Sequence, residues 1–275
     1  MTIIPLNGRI RALLSALFSL AVIVAISAAA WGYGETGIRS DFAIRNMEPS
    51  LSHWFGTDQM GRDMFARTLH GLTLSLRVGI LAAGFSVVIA LVIVLLSGLG
   101  RTADAIGSFV TDGMLAMPHF VLLILISFAL GGGTGAVIIA VAISHWPRFA
   151  RILRAELIQV RAAPFVEASR SFGKSRSFIM LNHILPHLLP QMLVGFLLMF
   201  PHAILHEAGL TFLGFGLEPS RPAIGIMLSE AMRHISGGRW WLAVFPGLAL
   251  LIMVLCFDVL ANGLRRLTSP REAQT

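Results

Sequence analysis

Charge is what this chain has least of. Only 13% of its 275 residues are Asp, Glu, Lys or Arg, about half the share of a soluble domain, so the chain could not cover its own surface in water. Lysine is reduced to Lys174. The run Gly131-Gly132-Gly133-Thr134-Gly135 lacks the Gly-Lys-Ser/Thr ending of a phosphate loop and is expected to be a tight external turn between helices. The one cysteine, Cys256, lies in an apolar run; it excludes a disulfide framework and fits a small buried hydrophobe. A His-Glu-any-any-His zinc-protease motif is absent, because the residue three after Glu207 is Leu210. With no internal repeat and no low-complexity tract, one domain over 1–275 is expected.

What is present is apolar. Hydrophobic residues make up 56% and the mean hydropathy is +0.79, which makes lipid the natural solvent. Net charge is +7. Nucleic acid is not the expected partner, since the 21 basic residues are spread over short segments between apolar runs, as the positive bias of cytoplasmic loops requires. Six runs reach spanning length: about Ala12–Gly32, Leu72–Leu99, Ala105–Leu130, Gly135–Ile158, Leu188–Phe212 and Trp240–Leu264. The first follows Arg9 and Arg11 and ends in Ala28-Ala29-Ala30, as a signal peptide would. It is longer than the ~7–15-residue core of such a peptide, so an uncleaved first helix is expected. The fold class is an all-α integral membrane protein, a bundle of six transmembrane helices.

Placing the N-terminus in the cytoplasm puts 13 basic residues inside: Arg9, Arg11, Arg101, Arg148, Arg151, Arg154, Arg161, Arg170, Lys174, Arg176, Arg265, Arg266 and Arg271. Eight lie outside: Arg39, Arg45, Arg62, Arg67, Arg77, Arg221, Arg233 and Arg239, together with the acids Glu35, Asp41, Glu48, Asp58, Asp63, Glu218 and Glu230. Both termini are then cytoplasmic. Two loops are long, an outer one over about 33–71 and an inner one over about 159–187, and long loops are candidates for function.

In the inner loop Pro164 suits a first helical turn. Phe165, Ala168 and Phe172 follow at helical spacing as an apolar stripe, with Glu167, Arg170 and Lys174 on a polar face. Gly173 can end the helix and Ser175 can start another carrying Phe178, Ile179 and Leu181; Pro186 and Pro190 are expected to bend the chain into the fifth span. The first piece is too short to span. It suits either a groove of a partner protein or the lipid head groups.

These residues carry a resemblance. Glu167-Ala168-Ser169, Gly173 and His183-Ile184-Leu185-Pro186 match in spacing the Glu-Ala-Ala…Gly…Ile-any-Leu-Pro pattern of permease subunits of ATP-binding-cassette importers, with Ser169 in place of the second Ala and His183 in place of the Ile. The stretch Gly56-Thr57-Asp58-Gln59-Met60-Gly61-Arg62-Asp63 is similar to one that marks the second permease subunit of the dipeptide, oligopeptide and nickel importers. So are Ser144-His145-Trp146-Pro147 with Ala150, Arg151 and Arg154, then Glu207–Gly214 and Trp241–Gly247. The resemblance runs from about residue 50 to about residue 268 and implies a permease of the type I ABC importer kind in the bacterial inner membrane. It implies that the coupling helix, with Phe165, Val166, Glu167, Ala168, Ser169, Arg170, Phe172 and Gly173, fits a cleft on a cytoplasmic ATPase. The implied partners are a homologous permease subunit, two ATP-binding subunits and a periplasmic substrate-binding protein. This chain would bind no cofactor, since ATP is used by its partners, and it would act by alternating access rather than as an enzyme.

Two further groups are candidates. Gly56 and Gly61 allow tight turns, and Asp58, Arg62 and Asp63 can form a charge network, either clamping the outer loop onto the helix ends or meeting substrate or its carrier. His202 and His206 are four apart and share a helix face, so they can ligate a metal, line a pathway with Glu207, or make interhelical hydrogen bonds. His119, His145, His183, His187 and His234 are scattered and expected to be structural. Asp112 and Asp258 are costly in lipid and expected to serve helix–helix bonds or a gate. The histidines favour nickel or a metal chelate as the solute, with di- or oligopeptides as the alternative. An ion-driven secondary transporter would show repeats and broken helices, and an intramembrane enzyme a complete nucleophile or metal motif; the sequence has neither the repeat nor the motif.

Overall fold

The computed structural model describes residues 8–34 and 38–268, so Glu35 and Arg271 lie outside the described residues. Its helices are α1 (Gly8–Tyr33), α2 (Met64–Ser97), α3 (Arg101–Ala116), α4 (His119–Ala129), α5 (Gly133–Arg161), α6 (Pro164–Ser171), α7 (Arg176–Ile179), α8 (Leu185–Phe212), α9 (Ile224–Met232) and α10 (Trp241–Thr268). Five are apolar and long enough to cross a bilayer, α7 and α8 counting as one run over 176–212. At 1.5 Å per residue each exceeds the ~30 Å of hydrocarbon. The chain is a multi-pass, all-α membrane protein.

The third expected span is not straight. It breaks at Pro118 into α3 and α4, bent by 96°. Proline has no N–H and biases the residue before it toward extended backbone; Met117 has φ −78° and ψ 139°. The fifth span departs in the opposite sense. Pro186 and Pro190 do not interrupt it; the helix runs on from Arg176 to Phe212 through a wider π-helical turn over Met180–Ile184. The outer loop is shorter than expected, because Asp63 caps the N-terminus of α2 by accepting from Ala66 N at 2.9 Å. A nine-residue helix that the hydropathy pattern did not distinguish, α9, packs its buried Ile224, Ile226 and Met227 against α8 and α10.

Helix α2 is central, packing on α1, α3, α5 and α8, while α10 closes against α1, α8 and α9. In lipid, close approach is driven by packing and interhelical hydrogen bonds, and small residues permit it. Gly79 of α2 faces the rings of Phe200 and the side chain of Ile204 on α8, and Gly263 of α10 faces Ala12 and Ala16 on α1. The rings of Phe200 and Phe257 meet with centroids 3.7 Å apart, tilted by 32°. Ser86 Oγ donates to the Ala142 carbonyl at 2.9 Å, joining α2 to α5. Large apolar side chains such as Phe18, Phe85, Phe109 and Phe128 face outward, the arrangement a lipid solvent requires.

Gly225 sits where α9 crosses α8, and a methyl there would meet the Ala208 carbonyl oxygen, with Thr211 Cβ at 2.8 Å and Phe212 N at 2.9 Å. Two of these atoms are backbone and cannot rotate away. Gly225→Ala is expected to lower the unfolding temperature of the purified protein, at a cost of about 1–3 kcal/mol. Gly84→Ala, whose methyl meets nothing within 4 Å, should leave it unchanged; equal responses would mean that α9 is loosely held.

Candidate functional site

At one end of the bundle α6 is set off from α5 by a two-residue corner, with Pro164 in its first turn. Gly173 ends it at φ +72°, and Ser175 caps α7 by accepting from Phe178 N at 3.2 Å. Only Val166 of this helix is buried in the chain's own core, against α5, Ile179 and Ile184. Phe165, Glu167, Ala168, Arg170 and Phe172 are exposed, Phe172 by 81%. The apolar stripe read from the spacing thus faces outward. Ser169 and His183, the two departures from the permease pattern, meet each other: Ser169 Oγ and His183 Nε2 are 2.8 Å apart, fastening α6 to the π turn. Beside α6 opens a cleft of about 600 Å³ lined by Arg101, Arg154, Arg161, Arg170, Lys174 and Arg176. Asp104 holds Arg154 through two hydrogen bonds of 2.8 and 2.7 Å; Asp112 pairs with Arg151 at 2.7 Å across α3 and α5, and Asp258 accepts from Asn262 on its own helix at 3.1 Å.

At the opposite end the 56–63 motif folds on itself. Gly56 and Gly61 have φ +69° and +71°, and Thr57 pairs with Asp63 as an antiparallel bridge. Thr57 Oγ1 donates to the Ile44 carbonyl and accepts from Met47 N. Trp241 Nε1 donates to the Thr57 carbonyl at 3.3 Å, tying the loop to α10. Asp58 is 1% exposed, and its carboxylate is the hub of the loop. It accepts from Met60 N, Arg62 N, Arg62 Nε at 2.7 Å and Arg67 Nη1 at 2.6 Å. Arg67 also reaches Glu230 of α9 at 3.1 Å. Asp63 holds His53 Nδ1 at 2.8 Å besides capping α2. Arg67 and Glu230 lie outside the motif, and no local pattern joins them to Asp58.

Midway along the bundle the histidines rearrange the sequence expectation. His202 is exposed and its Nδ1 lies 3.3 Å from the Leu198 carbonyl. His206 turns instead toward His119 and His145, so those two are not scattered but gathered with it, one nitrogen of each ring lying within 4.8 Å of the others. Their separation in sequence hid this, since α4, α5 and α8 each supply one. Glu207, a pathway candidate by sequence, faces no open surface: it is fully buried, accepting from Ser75 at 2.6 Å and Thr211 at 3.1 Å. It pins α8 to α2.

Long apolar helices, an outward-facing short amphipathic helix at one end and a charge-locked loop at the other define the membrane component of a transport system. The chain belongs to the family of binding-protein-dependent transport system inner membrane components, whose model matches residues 78–274, and within it to the dipeptide/oligopeptide type of ABC importer permease. It is 32% identical over 235 residues to the dipeptide transport system permease protein DppC of Bacillus subtilis, covering 85% of this chain and 73% of that one. A Brucella suis chain named provisionally as a peptide transport system permease protein is 36% identical over 252 residues, covering 92% and 85%. A solved inward-facing structure of the MetNI methionine ABC transporter superposes with a TM-score of 0.59 at 19% identity, over 75% of this chain and 98% of that chain; it shares the fold.

Removing one partner from a buried ion network leaves the others uncompensated, at about 3–5 kcal/mol. Asp58→Asn is expected to destabilise the protein by about that much. Arg221→Ala, which breaks the exposed pair with Glu218 at 3.5 Å, should cost no more than ~1 kcal/mol. Denaturant unfolding of the two purified variants measures the difference, and similar midpoints would mean that the Asp58 network is solvated.

Proposed function

We propose that this chain is the second permease subunit of an ATP-driven importer of di- and oligopeptides. The observation that carries the reading is likeness over most of its length to relatives named for dipeptide or peptide transport. Nickel or a metal chelate, the solute the histidines favoured, gives way to peptide. The relatives described above are named for dipeptide or peptide transport, and the His202/His206 pair that favoured a metal is divided between two surroundings.

In this reading α6 lies in the cytoplasm and seats in a cleft of an ATPase subunit, with Phe165, Ala168 and Phe172 as apolar anchors and the neighbouring basic cleft drawing acidic groups of that partner. The chain pairs with a homologous permease, two ATPase subunits serve the pair, and a loaded binding protein docks at the periplasmic end that carries Gly56–Asp63. The locked loop acts there as a rigid rim. Closure of the ATPases moves α6; the buried Val166 and the Ser169–His183 contact pass the motion to the α7–α8 run, and the cavity between the two permeases opens alternately outward and inward. Both termini lie in the cytoplasm, where Arg265 and Arg266 close the last turn of α10.

Deleting the gene should abolish uptake of a labelled dipeptide and leave uptake of radioactive nickel unchanged; loss of nickel uptake alone would overturn the solute assignment. Phe172→Asp should cut dipeptide uptake about tenfold or more, as loss of an aromatic anchor does, at unchanged abundance in the membrane. Wild-type uptake by that variant would move the ATPase contact away from α6.

A further inference from the structure

The His119, His145 and His206 rings form a nearly equilateral group, with centroids 4.6, 4.7 and 4.9 Å apart and each pair edge-to-face at 77–78°. They come from three elements: the first residue of α4 after the Pro118 break, the middle of α5 and the second half of α8. His145 is twelve residues into α5, or about 18 Å from its start, so the group sits deep in the bundle.

The hydrogen bonds orient two of the rings. His145 Nδ1 is 2.8 Å from the Val141 carbonyl and His206 Nδ1 is 2.7 Å from the His202 carbonyl. A carbonyl only accepts, so both Nδ1 atoms carry the proton, and in the neutral ring the lone pair is on Nε2. His145, 7% exposed, presents that Nε2 buried and without a partner, and His119 Nε2 is likewise buried and unpartnered. Buried polar atoms are nearly always satisfied, and exceptions demand a cause. An Nδ1–H held by a carbonyl is also the arrangement that orients imidazoles around a metal.

We propose that His119, His145 and His206 form a three-imidazole site for a divalent transition-metal ion of the zinc class, between α4, α5 and α8, whatever solute is carried. The donor set contains neither the carboxylates and carbonyls that magnesium and calcium require nor a thiolate; imidazole suits zinc, nickel and copper. Nitrogens ~2.0–2.1 Å from one tetrahedral ion stand roughly 3.4 Å apart. Closing from the present spacing moves each ring by less than about 1 Å, within reach of small side-chain rotations, and leaves a fourth position for water. The bound ion ties the first turn of α4 to two long helices and holds the bend at Pro118 in its present arrangement.

The test uses the full-length chain purified from membranes in its native assembly and stripped with chelator. Cobalt(II) titration, read by visible absorption and followed by zinc displacement, should show one tetrahedral ion per copy of this chain. His119→Gln, His145→Gln and His206→Gln should each weaken binding at least about tenfold, while His202→Gln leaves it unchanged. Absence of stoichiometric binding to the unmodified protein, or equal loss in His202→Gln, would overturn the site. Those two samples decide the matter even where His145→Gln, the most buried change, fails to fold.

Discussion

A backbone N–H or C=O left unpaired in hydrocarbon costs several kcal/mol, and no water is there to take it. Helices satisfy this cost within themselves, so the places that need explanation in this bundle are the breaks. The turn between α4 and α5 is paired inside the protein. At the glycine turn Gly132 N bonds the Ser127 carbonyl and Gly133 N bonds the Gly216 carbonyl. Ser127 Oγ donates to the Phe215 carbonyl, and Leu217 N donates to Thr211 Oγ1. The turn after α4 and the turn after α8 thus complete one another, and three successive glycines at positive φ let the two approach.

The same cost governs the polar side chains. Asp58, Arg67 and Glu230 form a closed network that joins the loop before α2 to α9, and Trp241 fastens the same loop to α10. This end is built to stay still. At the other end α6 has one buried anchor, Val166, and a hydroxyl–imidazole contact, with the rest of its surface outside. The helix that receives α6 continues without interruption to the Glu207–Ser75 pin on α2, so a displacement at α6 meets a stiff lever rather than a loose loop.

Much of this was legible in the order of residues. Apolar runs marked the spans because lipid-facing residues need no partner, and five of the six are continuous helices. Pro164, Gly173 and Ser175 placed the ends of α6 and the start of α7 by backbone chemistry alone, which acts over one turn. The glycine run and the Gly56/Gly61 turns were legible for the same reason. The family followed from short motifs whose spacing is fixed by local structure.

Sequence by itself determined the membrane solvent, the helical class, the amphipathic α6 and the family. Tertiary structure alone decided which way each proline acts: Pro118 breaks a span with a 96° bend, while Pro186 is carried through just after a π turn. It decided that Ser169 answers His183, that Asp58 finds Arg67 and Glu230, and that Glu207 is a pin. It also replaced a histidine pair read from helical periodicity with a trio drawn from three helices. Periodicity reports neighbours on one helix, whereas chains of packed helices bring together residues that share no local pattern, and only the packing says which.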